Sequence, residues 1–370
     1  MQIYTIIKIG NFNFMKKFND MYFEEYDNEK YNAKDSKYKN YEKYIGGTMT
    51  KRFIRLDSSY LKDFWRAKLK KGNSYVTYID DFIAENMQGK DDIPLKYVSA
   101  LLKKQRGLWD FEHTAKDALG SRLANLMGVP TVYNDFTMDV DESSPEYYVI
   151  SVDFVKPGQT TDNLEDTEDN RSNINDYSLF EEWEKYLQRK LSTIIALDEI
   201  KEKHKDPMYK KLSPEKKQQI IDKFLQDFVS HYIFRNMIVD DMDFKPRNVT
   251  YIKEKEDNRT NYSLAPANDF EFVCSYRRES LMAENTKVNL EYLCKNYPDA
   301  TNDFMQRLKK RIVKNGTIDA SKIESIFKKV MKDEDYYKYL KSRLILNLET
   351  LVSVYDSIAE KSNDVNTLVD

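Results

Sequence analysis

Along the second half of the chain, apolar residues recur at helical spacing over long stretches. In the first half they mostly come in short, alternating runs. Leu179, Phe180, Trp183, Leu187, Leu191, Ile194 and Ile195 share one helix face, predicting a helix over 179–202. A second stripe runs Ile220, Ile221, Phe224, Leu225, Phe228, Val229, Tyr232 and Ile233 and continues to Ile238, opened by Ser213 as cap and Pro214 at the first helical position. Helices are also predicted over roughly 288–312, 319–332 and 335–361. In the first half, a helix runs from Phe111 to Met127 and stops at Gly128, and another carries Leu61, Phe64, Trp65 and Leu69 as far as Gly72. Ile3 to Ile9, Phe53 to Asp57, Tyr75 to Ile79, Leu95 to Leu101, Thr131 to Val140 and Tyr147 to Val155 read as strands. Val249 to Lys253 and Tyr262 to Ala265 read as a hairpin about Asp257-Asn258. The fold class is α+β: a β-rich part over 1–157, ending at Lys156-Pro157-Gly158, and a larger helical part over 158–370. Residues 15–45 are crowded with Tyr, Lys, Asp, Glu and Asn and read as exposed or irregular. The acidic, polar 159–176 reads as an exposed insertion.

Composition narrows the classes. At 370 residues, 41% hydrophobic and 33% charged, the chain can hold two substantial cores under a heavily charged surface. A net charge of -3 gives no global basic footprint for nucleic acid. No apolar run approaches the ~20 residues of a membrane span, and Met1 to Gly10 is too short and too mixed for a secretory signal. Cys274 and Cys294 make no disulfide framework and suit a reducing compartment, so a cytoplasmic location is expected. With three histidines and two cysteines, a dedicated zinc site is not expected.

The candidate chemistry lies directly after the second stripe, in Asp243-Phe244-Lys245-Pro246-Arg247-Asn248, and then in Leu264-Ala265-Pro266-Ala267-Asn268-Asp269-Phe270. An acid, a lysine two residues on, an asparagine five residues on and a second acid beyond a hairpin are what phosphoryl transfer from Mg-ATP requires. One carboxylate orients the hydroxyl, a cation faces the phosphate, and an amide oxygen with a further carboxylate holds magnesium. The hairpin would bring Asn248 and Asp269 to one end, within reach of one cation. Each of these letters is also ordinary in a solvated loop; it is their order that is specific. Near the start, Gly46-Gly47-Thr48 followed by Lys51 is either a phosphate-cradling loop or a plain turn.

Asp243 to Asn248 resembles the catalytic loop of protein kinases, Asp-Leu-Lys-Pro-x-Asn. Leu264 to Asp269 resembles the metal-binding segment of the HipA-type, CtkA-like bacterial protein kinases. The text from Asp117 to Pro130 is similar to that family's αC-equivalent helix. The resemblance implies a bilobal protein-kinase-like fold, with a small β-rich N-lobe carrying the αC-like helix and a larger helical C-lobe. It implies an ATP- and Mg-dependent protein serine/threonine kinase able to phosphorylate itself. Asp243 would orient the attacking hydroxyl, Lys245 would offset γ-phosphate charge, and Asn248 and Asp269 would ligate Mg2+. Asp117 would pair with a phosphate-holding strand lysine, Lys96, with Glu112 as the alternative acid and Lys51 or Lys62 as the alternative lysines. Backbone of Asp153, Phe154 and Val155 would face adenine, and Gly46 and Gly47 would cover the phosphates. Its partners would be a protein substrate and an antitoxin or host protein, and export as an effector is compatible with the same letters. The chain departs from the family in carrying Phe244-Lys245 where a residue followed by His is more usual. It departs from eukaryotic-type kinases in Asp269-Phe270-Glu271, which lacks the usual glycine. A small-molecule or lipid kinase of the same fold, and an inactive pseudokinase or interaction module, are the alternative readings.

Overall fold

A computed structural model describes residues 51–57, 97–104, 110–132, 134–139, 146–152, 154, 159–164, 177–256, 259–274, 279–331 and 334–367. The expected strands over 3–9 and 75–79, the helix around Leu61 to Leu69, and Gly46-Gly47 lie outside the described residues. Helices and strands are mixed, with helices in the majority. The chain divides into two compact units, one from residues up to 118 together with 132–160, the other from 119–131 together with 161–370.

The first unit is built on a four-stranded antiparallel sheet of β1 (Lys51–Asp57), β2 (Tyr97–Lys104), β3 (Asn134–Asp139) and β4 (Glu146–Val152), in the order β1-β2-β4-β3. β2 runs three residues further than its apolar run, and Lys103 and Lys104 still pair with Val149 and Tyr148. Helix α1 (Asp110–Met127) begins in this unit. Its Ala115 and Ala118 are fully buried, as the helical spacing predicts.

In the second unit α1 ends at Gly128, whose φ of +82° is the left-handed stop that glycine adopts without penalty. Arg307 and Arg311 donate to the carbonyls of Gly128 and Asn125 at 3.0 and 2.9 Å, satisfying orphan groups of the helix end with cations of the favourable sign. Helices α2 (Phe180–Lys205) and α3 (Pro214–Tyr232) follow. Ser213 caps α3, its hydroxyl accepting from the Lys216 amide at 3.2 Å, with Pro214 next, as expected. The interface of α2 and α3 is aromatic: Phe180 meets Tyr232 edge-on at 5.0 Å, and Trp183 meets Phe228 at 5.2 Å.

Three expectations need correction. The stripe to Ile238 is not one α-helix, because Ile233–Ile238 opens into a wider π-type turn in which the Val239 amide reaches back to the Phe234 carbonyl. Residues 159–163 are a strand rather than an exposed insertion: β5 (Gln159–Asn163) lies beside β6 (Thr250–Glu256) and β7 (Arg259–Leu264) in a sheet of order β5-β6-β7, and Leu164 is fully buried. The helix expected over 288–312 is two, α4 (Glu279–Asn296) and α5 (Pro298–Ile312), since Pro298 can begin a helix but not continue one. Beyond α5, β8 (Val313–Lys314) and β9 (Thr317–Ile318) form a hairpin whose central Asn315 and Gly316 both have positive φ. The unit ends with α6 (Ala320–Val330) and α7 (Glu334–Thr367).

Candidate active site

The loop after α3 is anchored by its one aromatic residue. Phe244 is 3% exposed and stacks on Trp183 at 4.7 Å and on Phe228 at 5.7 Å. The polar residues on either side are thereby held at the surface of the α2–α3 core. A 3₁₀ turn over Pro246–Asn248, begun by proline, brings Asn248 back toward Asp243. Asn248 Nδ2 donates to the Asp243 carbonyl at 2.7 Å and to its Oδ2 at 2.9 Å. Lys245 Nζ lies 2.7 Å and Arg247 Nη2 2.8 Å from Asp243 Oδ1. Burial works to raise the Asp243 pKa, but the hydrogen bonds from Lys245 and Asn248 and the charge of Arg247 outweigh it. The carboxyl therefore sits below its ordinary range and is ionised at neutral pH.

The β6–β7 hairpin places the second segment beside this loop. Tyr251 opposes Leu264, and the Ala265 amide donates to the Thr250 carbonyl at 3.0 Å, so residues 248 and 265 onward lie at the same end. The segment continues past a parallel bridge between Ala267 and Thr131 to Asp269, a half-buried residue at a φ of 60°, a left-handed conformation aspartate tolerates better than most.

Between loop and segment lies a residue the sequence reading passed over. Arg235, in the π-type turn, is 1% exposed. Its Nε and Nη2 meet Asp241 Oδ2 at 2.6 and 2.5 Å. Nη1 donates to the carbonyls of Asn248 and Asn268 at 3.2 and 3.1 Å, and Nη2 to that of Asp269 at 2.8 Å. The rings of Phe244 and Phe270 lie 4.7 and 5.2 Å from the guanidinium carbon. Asp241 also accepts the Asp243 amide at 3.1 Å; burial pushes its carboxyl up, and Arg235 works against that. One guanidinium thus holds the backbone of both sequence-predicted segments.

In the first unit, Asp117 is fully buried on α1. It accepts from Asn134 Nδ2 at 2.6 Å, and Lys103 Nζ of β2 lies 3.6 Å from its other oxygen. Lys103 is thus a strand lysine beside Asp117; the expected Lys96 lies outside the described residues. Asp153, Val155, Gly46 and Gly47 also lie outside them. Phe154 is half-buried and in no regular element.

No protein-family model matches the chain, and no curated protein does. Among solved structures it is similar to the Helicobacter pylori proinflammatory kinase CtkA, at 11% identity and a TM-score of 0.43, over 72% of this chain and 92% of that one. It is also similar to a chain of the Shewanella oneidensis MR-1 toxin–antitoxin assembly of HipA, HipB and operator DNA, at 11% identity and a TM-score of 0.38. That match covers 70% of this chain and 61% of the other, so the chain spans about three fifths of that neighbour.

The donor set suits a hard divalent cation. Asn248 spends its amide nitrogen on Asp243, so the end of the side chain left for a ligand is its oxygen, and Asp269 offers a carboxylate. Sequence reasoning missed Lys103, Asn134, Arg235 and Asp241. For Lys103 the apolar alternation gave no signal, since it ends at Leu101, and it is pairing with β4 that carries the strand on. An arginine inside an apolar stripe was the visible sign of Arg235.

Proposed function

We propose that the chain is an ATP- and Mg-dependent protein serine/threonine kinase of the HipA type, with an N-lobe over 1–157 carrying α1 as its αC-like helix and a C-lobe over 158–370. The observation that carries this reading is the grouping of Asp243, Lys245 and Asn248 on one anchored loop whose backbone shares a guanidinium with Asp269. In this reading Asp243, kept ionised by its neighbours, accepts the hydrogen bond of a substrate hydroxyl and aligns its oxygen for attack. Lys245 leans from Asp243 toward the transferred phosphoryl group and offsets its charge. Asn248 holds Asp243 with its amide nitrogen, and its oxygen together with the Asp269 carboxylate would hold magnesium. Bound there, the metal would neutralise phosphate charge. Within the first unit, the Lys103–Asp117 pair takes the phosphate-lysine role that the resemblance implies.

Incubation with labelled ATP, alone and with a generic basic protein, tests the reading. Label on the chain or on the added protein supports it. ATP binding without label points to a small-molecule kinase, and absence of ATP binding to an interaction module. Asp243→Asn is expected to lower transfer by about 10³-fold while the far-UV spectrum is unchanged, a loss of roughly 4 kcal/mol of transition-state stabilisation. Full activity in that variant removes the role given to Asp243. Asp269→Ala is expected to weaken nucleotide affinity with magnesium present and leave it unchanged without.

A further inference from the structure

We infer that Arg235 is a positioning residue that fixes the Asp243 loop and the Asp269 segment in one arrangement, leaving the segment no second, inactive position. The inference deepens the kinase reading and rests on it only for its activity readout. Four acceptors on three separate stretches of chain converge on this side chain: Asp241 Oδ2 and the carbonyls of Asn248, Asn268 and Asp269. A guanidinium can serve them together because its N–H groups fan out in one rigid plane. A lysine presents one compact charge and can reach only some of them.

Other bonds join the same two stretches without Arg235. The Met242 amide donates to the Phe272 carbonyl at 3.3 Å, and the Cys274 amide to the Val239 carbonyl at 2.5 Å. Phe270, fully buried, meets Phe234 edge-on at 5.9 Å. It also lies against Gly120 of α1, where an added methyl would overlap its Cβ. To swing out, the segment would have to expose Phe270 and strip two carbonyls, those of Asn268 and Asp269, from a buried cation. Both steps carry large desolvation costs. The absence of a glycine after Phe270 fits a segment that does not swing.

Residue-resolved hydrogen exchange on the full chain, with nucleotide absent, tests this. In the wild type, the amides of Met242 and of residues 269–274 are expected to exchange no faster than those of the α3 core, through the same opening. Arg235→Lys is expected to speed exchange over 242–249 and 268–274 by about tenfold or more while α3 stays unchanged. Its self-phosphorylation should fall by about 10²-fold, because a misplacement of an ångström is enough for that. Gly120→Ala, which alters no charge, should open 268–274 in the same selective way. A wild-type segment that exchanges orders of magnitude faster than α3 overturns the inference, as does an Arg235→Lys variant that exchanges like wild type. A uniform rise in exchange throughout the variant assigns Arg235 a merely structural role. If the wild type shows no phosphotransfer while the exchange pattern holds, the kinase reading fails and the positioning role stands.

Discussion

Arg235 and Asp241 form an ion pair at 2.5 Å with side chains 1% and 0% exposed; two residues on, Asp243 is bound by Lys245 and Arg247, with the three side chains 19%, 39% and 55% exposed. The two groups have similar chemistry and opposite uses. Charges taken wholly out of water are held by mutual need, since removing either partner strands the other in a medium that cannot solvate it. Such a pair serves as a fixed point for the backbone around it. The Asp243 cluster keeps its water, so its bonds exchange at little cost, which suits a carboxylate that must release a lysine and accept a substrate hydroxyl. Placement by the first group and availability in the second are both needed.

The contrast can be broken by substitution. The largest expected effect is at Asp241→Ala, which leaves Arg235 uncompensated and should lower unfolding free energy by about 3–5 kcal/mol in urea titration. A loss below about 1 kcal/mol would mean that the buried pair behaves like a surface pair. Phe244→Ala should cost roughly 3–4 kcal/mol, since it removes a core ring stacked on Trp183 and Phe228 although it sits between two site residues.

His231 sharpens the comparison through pH. It is buried, its ring N–H bonded to the Pro130 carbonyl, and burial first, then the charge of Arg235, bring its pKa down to about 3 from 6.5. The folded state thus refuses a proton that the unfolded chain accepts. Its contribution is complete above pH 6.5 and is lost as pH falls toward 3, with a slope of up to about 1.4 kcal/mol per pH unit. His231→Gln should flatten that limb in denaturation midpoints measured from pH 7 to 4. The smallest effect is expected at Arg247→Ala, about 0.2–1 kcal/mol in stability, because its pair with Asp243 is exposed. A loss as large as that of Asp241→Ala would erase the distinction between the two groups.

Much of this arrangement was legible in the chain. Ser213-Pro214 and the stripe from Ile220 to Ile233 specify cap and helix through interactions within a few residues, and both occur; β6 and β7 pair as the expected hairpin strands, and Asp257-Asn258 lie outside the described residues. The Asp243, Lys245 and Asn248 grouping was legible because a tight loop forces residues at such spacing together. Lys103 beside Asp117 was not legible: apolar alternation ends the strand at Leu101, whereas pairing with β4 carries it to Lys104. Strand ends are decided by the neighbouring strand's hydrogen bonds, which no local pattern records. The Asn315-Gly316 hairpin is legible in its letters, since both residues accept the positive φ that such a turn requires.

Sequence alone determined where α3 starts and which polar residues stand together on the loop after it, since caps, periodicity and turn chemistry act over a few positions. Tertiary structure alone decided which charges go inside. The acceptors of Arg235 lie 6, 13, 33 and 34 residues away along the chain. A guanidinium can be buried only where enough oxygens converge to replace water, and that convergence exists only once hairpin and loop have closed around it.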